Sequence, residues 1–244
     1  DVFMDIQPLI RSVVDGFNAC IFAYGQTGSG KTYTMSGPSG INDRALNDLF
    51  RLSNERQAAA RVRYDISVQM VEIYNEQVRD LLTNDGAGSS PKVEIRRSAD
   101  DRNFSLPNAA LYSVKSMSDV VALMRIGEAN RSTGSTAMNN RSSRSHSILA
   151  VHVDGREETG STLKGSLHLV DLAGSERADK TEATGERLRE AQYINKSLSA
   201  LGDVISALAN RSPFVPYRNT KLTLLLQDAL GGSAKTLMLA HVSP

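Results

Sequence analysis

The chain has 244 residues, 40% of them hydrophobic and 23% charged, a balance that excludes a disordered or collagen-like polymer and supplies enough apolar material for a packed core. Its 28 Lys and Arg against 27 Asp and Glu leave a formal net charge of +1, so no uniform basic coat for nucleic acid or membrane exists and an electrostatic partner must meet a local patch. One cysteine, Cys20, allows neither an internal disulfide nor a cysteine-rich zinc site, and there is no apolar run of about 18 residues and no basic-then-apolar leader; a cytosolic protein without membrane insertion is expected.

In chain order, Ala19 to Tyr24 is a short apolar run of strand type. From Val62 to Met70 apolar residues alternate with polar ones, the period of a half-buried strand. Glu76 to Leu82 reads as a short helix, Asp85 to Pro91 as a loop, and Lys92 to Arg96 as a short strand. Ser118 is placed as the N-cap of a helix carrying Val120, Leu123, Met124 and Ile126. Ser145 to Val153 and Ser166 to Leu172 are two antiparallel strands around the charged turn Asp154 to Gly160. Leu188, Ala191, Ile194, Leu198, Leu201, Ile205 and Leu208 recur at steps of three or four, which predicts the longest helix, stopped by Pro213 and Pro216. Asn219 to Leu230 reads as one further helix and Thr236 to Val242 as a buried-type strand. Strands and helices interleave without a repeat or a domain linker, so residues 1 to 244 are expected to form one α/β layered domain.

The apolar run at 19–24 leads into Gly25-Gln26-Thr27-Gly28-Ser29-Gly30-Lys31-Thr32, which matches G-x-x-x-x-G-K-[ST] in the strand-then-loop context that this motif requires. Glycines let backbone N–H groups curl around an anion, the next helix adds its positive end, Lys31 reaches terminal phosphates, and Thr32 offers a hydroxyl to Mg2+. A nucleoside triphosphate site follows. Asp171, ending the apolar segment before Leu172-Ala173-Gly174, supplies the second element: a carboxylate for the metal's water, and a Gly174 amide that can approach the γ-phosphate. The guanine-selecting pattern Asn-Lys-x-Asp has its nearest match in Asn195-Lys196-Ser197-Leu198, whose leucine cannot accept hydrogen bonds from guanine, so GTP is disfavoured. None of the four histidines shows metal-ligand spacing.

Asn139-Asn140-Arg141-Ser142-Ser143-Arg144-Ser145-His146 and Asp171-Leu172-Ala173-Gly174-Ser175-Glu176 resemble the two nucleotide-sensing switches of the kinesin motor family, in the family's order after the phosphate loop. The resemblance continues through 193–202, Val215-Pro216-Tyr217-Arg218, Lys221-Leu222-Thr223 and Leu226-Gln227-Asp228; Tyr74 to Leu82 and Ala234 to Met238 look most like the kinesin-14 group of plants and algae. It implies a P-loop NTPase-type three-layer fold, a central mostly parallel sheet flanked by helices. It also implies a microtubule-stimulated ATPase with ATP and Mg2+, cytoplasmic and cytoskeletal, and minus-end directed by its subgroup.

By this resemblance, Gly25, Gln26, Thr27, Gly28, Ser29, Gly30, Lys31 and Thr32 bind nucleotide, with Tyr33 able to pack on adenine. Thr32, Ser143 and Asp171 hold the metal. Ser142 places the attacking water, Gly174 contacts the γ-phosphate, and Arg144 pairs with Glu176 when the switches close. Lys196, Arg211, Arg218 and Lys221 against Asp203 give residues 196–221 a local charge of +3 and are the expected tubulin contacts; Arg96 and Arg97 are weaker candidates. The family's upstream strands and adenine-contacting Arg-x-Arg-Pro segment have no match here, so an N-terminally truncated motor domain is expected, dimeric only through regions outside it. Two rivals stay open: a non-motor P-loop triphosphatase, and a microtubule binder without turnover.

Overall fold

The computed structural model describes residues 2–60, 62–83, 93–97, 104–133, 143–176 and 185–243. Helix α1 (Phe3–Val14) buries Phe3, Ile6, Ile10, Val13 and Val14 on one stripe at helical spacing. Strand β1 (Asn18–Gly25), buried from Ala19 to Ala23, follows, then α2 (Lys31–Ser36) and α3 (Ile41–Ala60). The alternating segment is β2 (Val62–Tyr74).

The helix expected at 76–82 is instead strand β3 (Gln77–Asp80). Asn75 and Glu76 both adopt left-handed backbone, φ 49° and 58°, and Tyr74 pairs with Gln77 across them. Two consecutive left-handed residues make the tight turn that matches strand twist, so the local pattern yields to a hairpin. Two-residue strands β4 (Arg96–Arg97) and β5 (Phe104–Ser105) form a small ribbon, and Val93 bridges Val78; the loop read at 85–91 lies outside the described residues.

After β6 (Tyr112–Val114) comes α4 (Met117–Thr133). Its cap is Ser116, not Ser118: the Asp119 amide donates to Ser116 Oγ and the Ser116 amide donates to Asp119 Oδ2, a reciprocal capping box. Next are β7 (His146–Glu157), β8 (Thr162–Asp171) and the 24-residue α5 (Glu186–Ala209). The helix expected at 219–230 is broken into a 3-10 turn (Tyr217–Asn219), α6 (Lys221–Leu225) and α7 (Gln227–Leu230), because extended Thr220 caps a new helix and Leu226 leaves helical geometry at ψ 4°. Strand β9 (Lys235–His241) closes the order. It is not of buried type: it pairs only with β1 among the described residues, and Met238 is 50% exposed on it.

The seven-stranded sheet runs β3-β2-β7-β8-β1-β9, with β6 also on β2. It is mixed rather than mostly parallel. Among the described residues only β1–β8 and β1–β9 are parallel; β2–β3 and β7–β8 are antiparallel pairs joined by short turns, and β2–β6 and β2–β7 are antiparallel pairs formed across long stretches of sequence. One face is covered by α1 to α4 through Ile6, Met35, Leu46, Leu49 and Val120, the other by α5 to α7 through Leu201, Val204, Leu222 and Leu226. This is a three-layer α/β arrangement. No described helix is long and apolar enough to cross a membrane.

The core also holds polar groups. Burial pushes the imidazoles of His146 and His168 down to about 3 and that of His152 below its ordinary value. Folding keeps these rings neutral, whereas the unfolded chain takes up protons below its ordinary histidine pKa of 6.5. Stability is therefore full above that pH and should be lost as pH falls toward 3, at about 1 kcal/mol per pH unit for His146 and for His168. A urea midpoint that stays constant on acidification below that pH would contradict this.

Candidate functional site

Parallel pairing sets Ala23 of β1 opposite Asp171 of β8, so the glycine-rich loop and this carboxylate leave the sheet side by side. Ligand sites of α/β sheets form at such carboxyl ends. Antiparallel β7 starts at the same edge, with Ser147 opposite Asp171, which brings Ser143 and Arg144 there. A cavity of about 370 Å³ opens between them, lined by Thr27, Gly28, Gly30, Lys31, Thr32, Tyr33 and Ser143.

Gly30 enters α2 with φ 93°, the left-handed geometry that glycine adopts without strain. This turn aims the first amides of α2 at the cavity. Lys31 is 6% exposed, and its Nζ donates to the carbonyls of Gly25 (2.8 Å) and Gln26 (2.9 Å), curling back over its own loop. Burial pushes its ammonium down, opposed by the charges of Asp171 and Glu176. Tyr33 stands 71% exposed at the cavity wall.

Thr32 Oγ1 donates to Asp171 Oδ2 at 2.8 Å, joining two of the residues expected at the metal. Arg131 of α4, which no motif had pointed to, donates to the same oxygen at 3.2 Å and to the Ser145 carbonyl at 3.1 Å, and lies 3.9 Å from buried Glu72. The other carboxylate oxygen, Asp171 Oδ1, is buried without a hydrogen-bond partner. A hydroxyl beside an unsatisfied carboxylate oxygen, with Ser143 on the cavity wall, is a hard oxygen set that fits Mg2+.

The switch residues adopt an arrangement different from the one expected. Arg144 pairs with Glu190 of α5 at 3.0 Å, not with Glu176, and the Tyr74 hydroxyl donates to that same Glu190. Glu176 lies on the phosphate loop, accepting from the Thr27 amide (2.8 Å) and the Thr27 hydroxyl (2.5 Å). Burial pushes its carboxyl up, but these hydrogen bonds and Lys31 outweigh that and hold it below the usual range. A carboxylate thus sits where the loop's N–H groups would otherwise meet a phosphate.

The Gly174 amide is also engaged, donating to the Ser143 carbonyl at 2.9 Å. A Cβ on Gly174 would fall 2.2 Å from Thr27 Oγ1 and 2.3 Å from the Glu176 carboxylate, so any other residue would push these two side chains apart. Ser142 lies outside the described residues.

The expected track residues occupy another surface: Lys196 on α5, Arg211 after it, Arg218 in the 3-10 turn and Lys221 at the start of α6. All four are exposed, and none makes an ion pair among the described residues; Arg96, by contrast, is paired with Glu94 at 2.8 Å. Phe214, 75% exposed, lies between Arg211 and Arg218 in sequence.

The kinesin motor domain family model matches residues 1–244. The chain is 63% identical over 252 residues to kinesin-like protein KIN-14I of Arabidopsis thaliana, and equally to KIN-14F of Oryza sativa subsp. japonica over the same length, covering all of this chain and 25% and 24% of theirs. It therefore spans about a quarter of the length of these curated relatives. Among solved structures, the motor domain of the kinesin-related protein Kar3 of Saccharomyces cerevisiae aligns at TM-score 0.86 and 43% identity over 100% of this chain and 74% of that one. KIF14 with ADP, in complex with a microtubule, aligns at TM-score 0.86 and 38% identity over 97% and 70%.

Proposed function

This chain belongs to the kinesin motor domain family, and from that premise we propose that it is the ATP-hydrolysing, microtubule-binding core of a kinesin-14 motor, moving toward the minus end. The observation that carries this reading is the juxtaposition of the Lys31 loop, Thr32, Asp171, Ser143 and Gly174 at one sheet edge. It localises with microtubules in the cytoskeleton.

ATP places its phosphates in the loop, displacing Glu176 from Thr27 and drawing Lys31 off its own carbonyls. Thr32, Ser143 and Asp171 would hold Mg2+, which when bound would neutralise phosphate charge. Arg131 keeps the Asp171 carboxylate oriented at the edge of α4. The Gly174 amide exchanges its Ser143 carbonyl for the γ-phosphate, and Arg144 exchanges Glu190 for Glu176. Ser142 orients the attacking water. Water bonds to the γ-phosphorus as its bridging oxygen departs with ADP, so positioning and charge stabilisation do the work without a strong base. The switches thus have two hydrogen-bonded arrangements, and phosphate favours one of them.

Steady-state ATP turnover with and without microtubules tests the reading. Stimulation by microtubules is expected; turnover without stimulation would favour the non-motor triphosphatase, and binding without turnover the passive binder. For the track surface, replacing Arg218 and Lys221 together by alanine should weaken co-sedimentation by about 10-fold at low salt and flatten its salt dependence. Identical binding of variant and parent across a salt series would remove this patch.

A further inference from the structure

His146 opens β7, three residues after Ser143, and is 3% exposed. Its ring touches two other parts of the machinery. Nδ1 accepts from the Ala173 amide at 3.1 Å, so in the neutral ring the proton sits on Nε2. Nε2 lies 2.7 Å from Ser197 Oγ, and the Ser197 hydroxyl donates onward to the Ile194 carbonyl at 2.8 Å. The direction of every bond is therefore determined: Ala173 to His146, His146 to Ser197, Ser197 to the backbone of α5. Burial pushes the ring down to about 3, so this protonation pattern holds throughout neutral pH.

The placement of these three residues matters. Ala173 adjoins Gly174, whose amide bonds to Ser143, and Ser197, 2% exposed, lies in the middle of α5 beside Lys196. One imidazole thus spans from the segment that contacts the γ-phosphate to the helix that carries part of the basic surface. This connection is separate from the backbone between Glu176 and α5.

Resting on the motor reading above, we propose that His146 is a positioning residue that passes movement of the 173–174 segment directly to α5 through Ser197. The coupling needs both ring nitrogens: one follows the strand end, the other pulls on the helix. A residue that merely filled space would need neither.

Ser197→Ala removes the helix end of the link without adding bulk, leaving the buried His146 Nε2–H without its acceptor. His146→Asn keeps an acceptor near the Nδ1 position and loses the reach to α5. Hydrogen–deuterium exchange of the protein, with and without a non-hydrolysable ATP analogue, should show protection changes at both the start of β7 and α5 in the parent. In Ser197→Ala and in His146→Asn the β7 change should persist while the α5 change falls at least 3-fold, and the double variant should do no worse than either single. In parallel, Ser197→Ala should keep basal turnover within 2-fold and lose at least 5-fold of the microtubule-stimulated kcat.

An α5 response equal to the parent's in both variants, or a parent with no α5 response to bound analogue, overturns the proposal. A parent that binds the analogue and shows the α5 response but is not stimulated by microtubules contradicts the motor reading instead, and the exchange data still decide the role of His146.

Discussion

Lys31→Ala is expected to abolish ATP binding at micromolar concentrations. The side chain is buried at the wall of the cavity with its ammonium on two carbonyls of the loop, from which the phosphates draw it. A charge-assisted contact of this kind is worth about 3 to 5 kcal/mol when truncated, or roughly 100-fold to several thousand-fold in affinity. The variant should unfold only slightly earlier, because the Gly25 and Gln26 carbonyls each lose one donor while keeping those from Ser175 and Ser29. Calorimetric titration with ATP measures the first effect. An affinity within 5-fold of the parent would show that phosphates bind elsewhere. Tyr33→Ala is the control: exposed at the cavity wall, it should change affinity only a few-fold.

Glu176→Ala should separate binding from turnover. In the present arrangement the Glu176 carboxylate occupies the Thr27 amide and hydroxyl, so it competes with phosphate for the loop, and its loss should leave ATP affinity unchanged or tighter. In the proposed cycle, however, turnover needs that carboxylate as the second partner for Arg144, which here pairs with Glu190 on α5. A fall of at least 100-fold in kcat is expected, about 3 kcal/mol of barrier. Rapid-quench measurement of bound ATP cleavage gives the answer free of product release. Wild-type cleavage would remove Glu176 from the chemistry; weaker ATP binding would mean that its contact with Thr27 shapes the loop rather than blocks it.

What was legible in the sequence followed from patterns that local physics enforces. The phosphate loop, Asp171 and the 188–208 helix carry their meaning in spacing, and the structure brings Lys31, Thr32 and Asp171 together as the motifs implied. Helix α1 is equally legible from Phe3, Ile6, Ile10 and Val13 at helical spacing. The 76–82 segment was misread because its hairpin depends on left-handed backbone at Asn75 and Glu76, and Glu76 carries no glycine-like signal. Parallel against antiparallel pairing depends on contacts far apart in sequence, such as Ile73 opposite His146, which no window of residues contains. The same holds for Arg131 on Asp171 and Glu190 on Arg144: each is an ordinary surface-helix charge until the fold brings it to the site. In the proposed cycle the pairing of Arg144 is also a matter of state, with Glu190 holding it here and Glu176 taking it when ATP occupies the loop.

The most direct measurement is a structure of the protein with a saturating non-hydrolysable ATP analogue. The phosphates should lie on the amides of the Thr27 to Thr32 loop, with Glu176 moved from Thr27 to Arg144, Arg144 released from Glu190, and the Gly174 amide turned from the Ser143 carbonyl to the γ-phosphate. An analogue bound with Glu176 still on Thr27 and Gly174 still on Ser143, or a loop left empty, would contradict the exchange on which the proposed ATPase cycle depends.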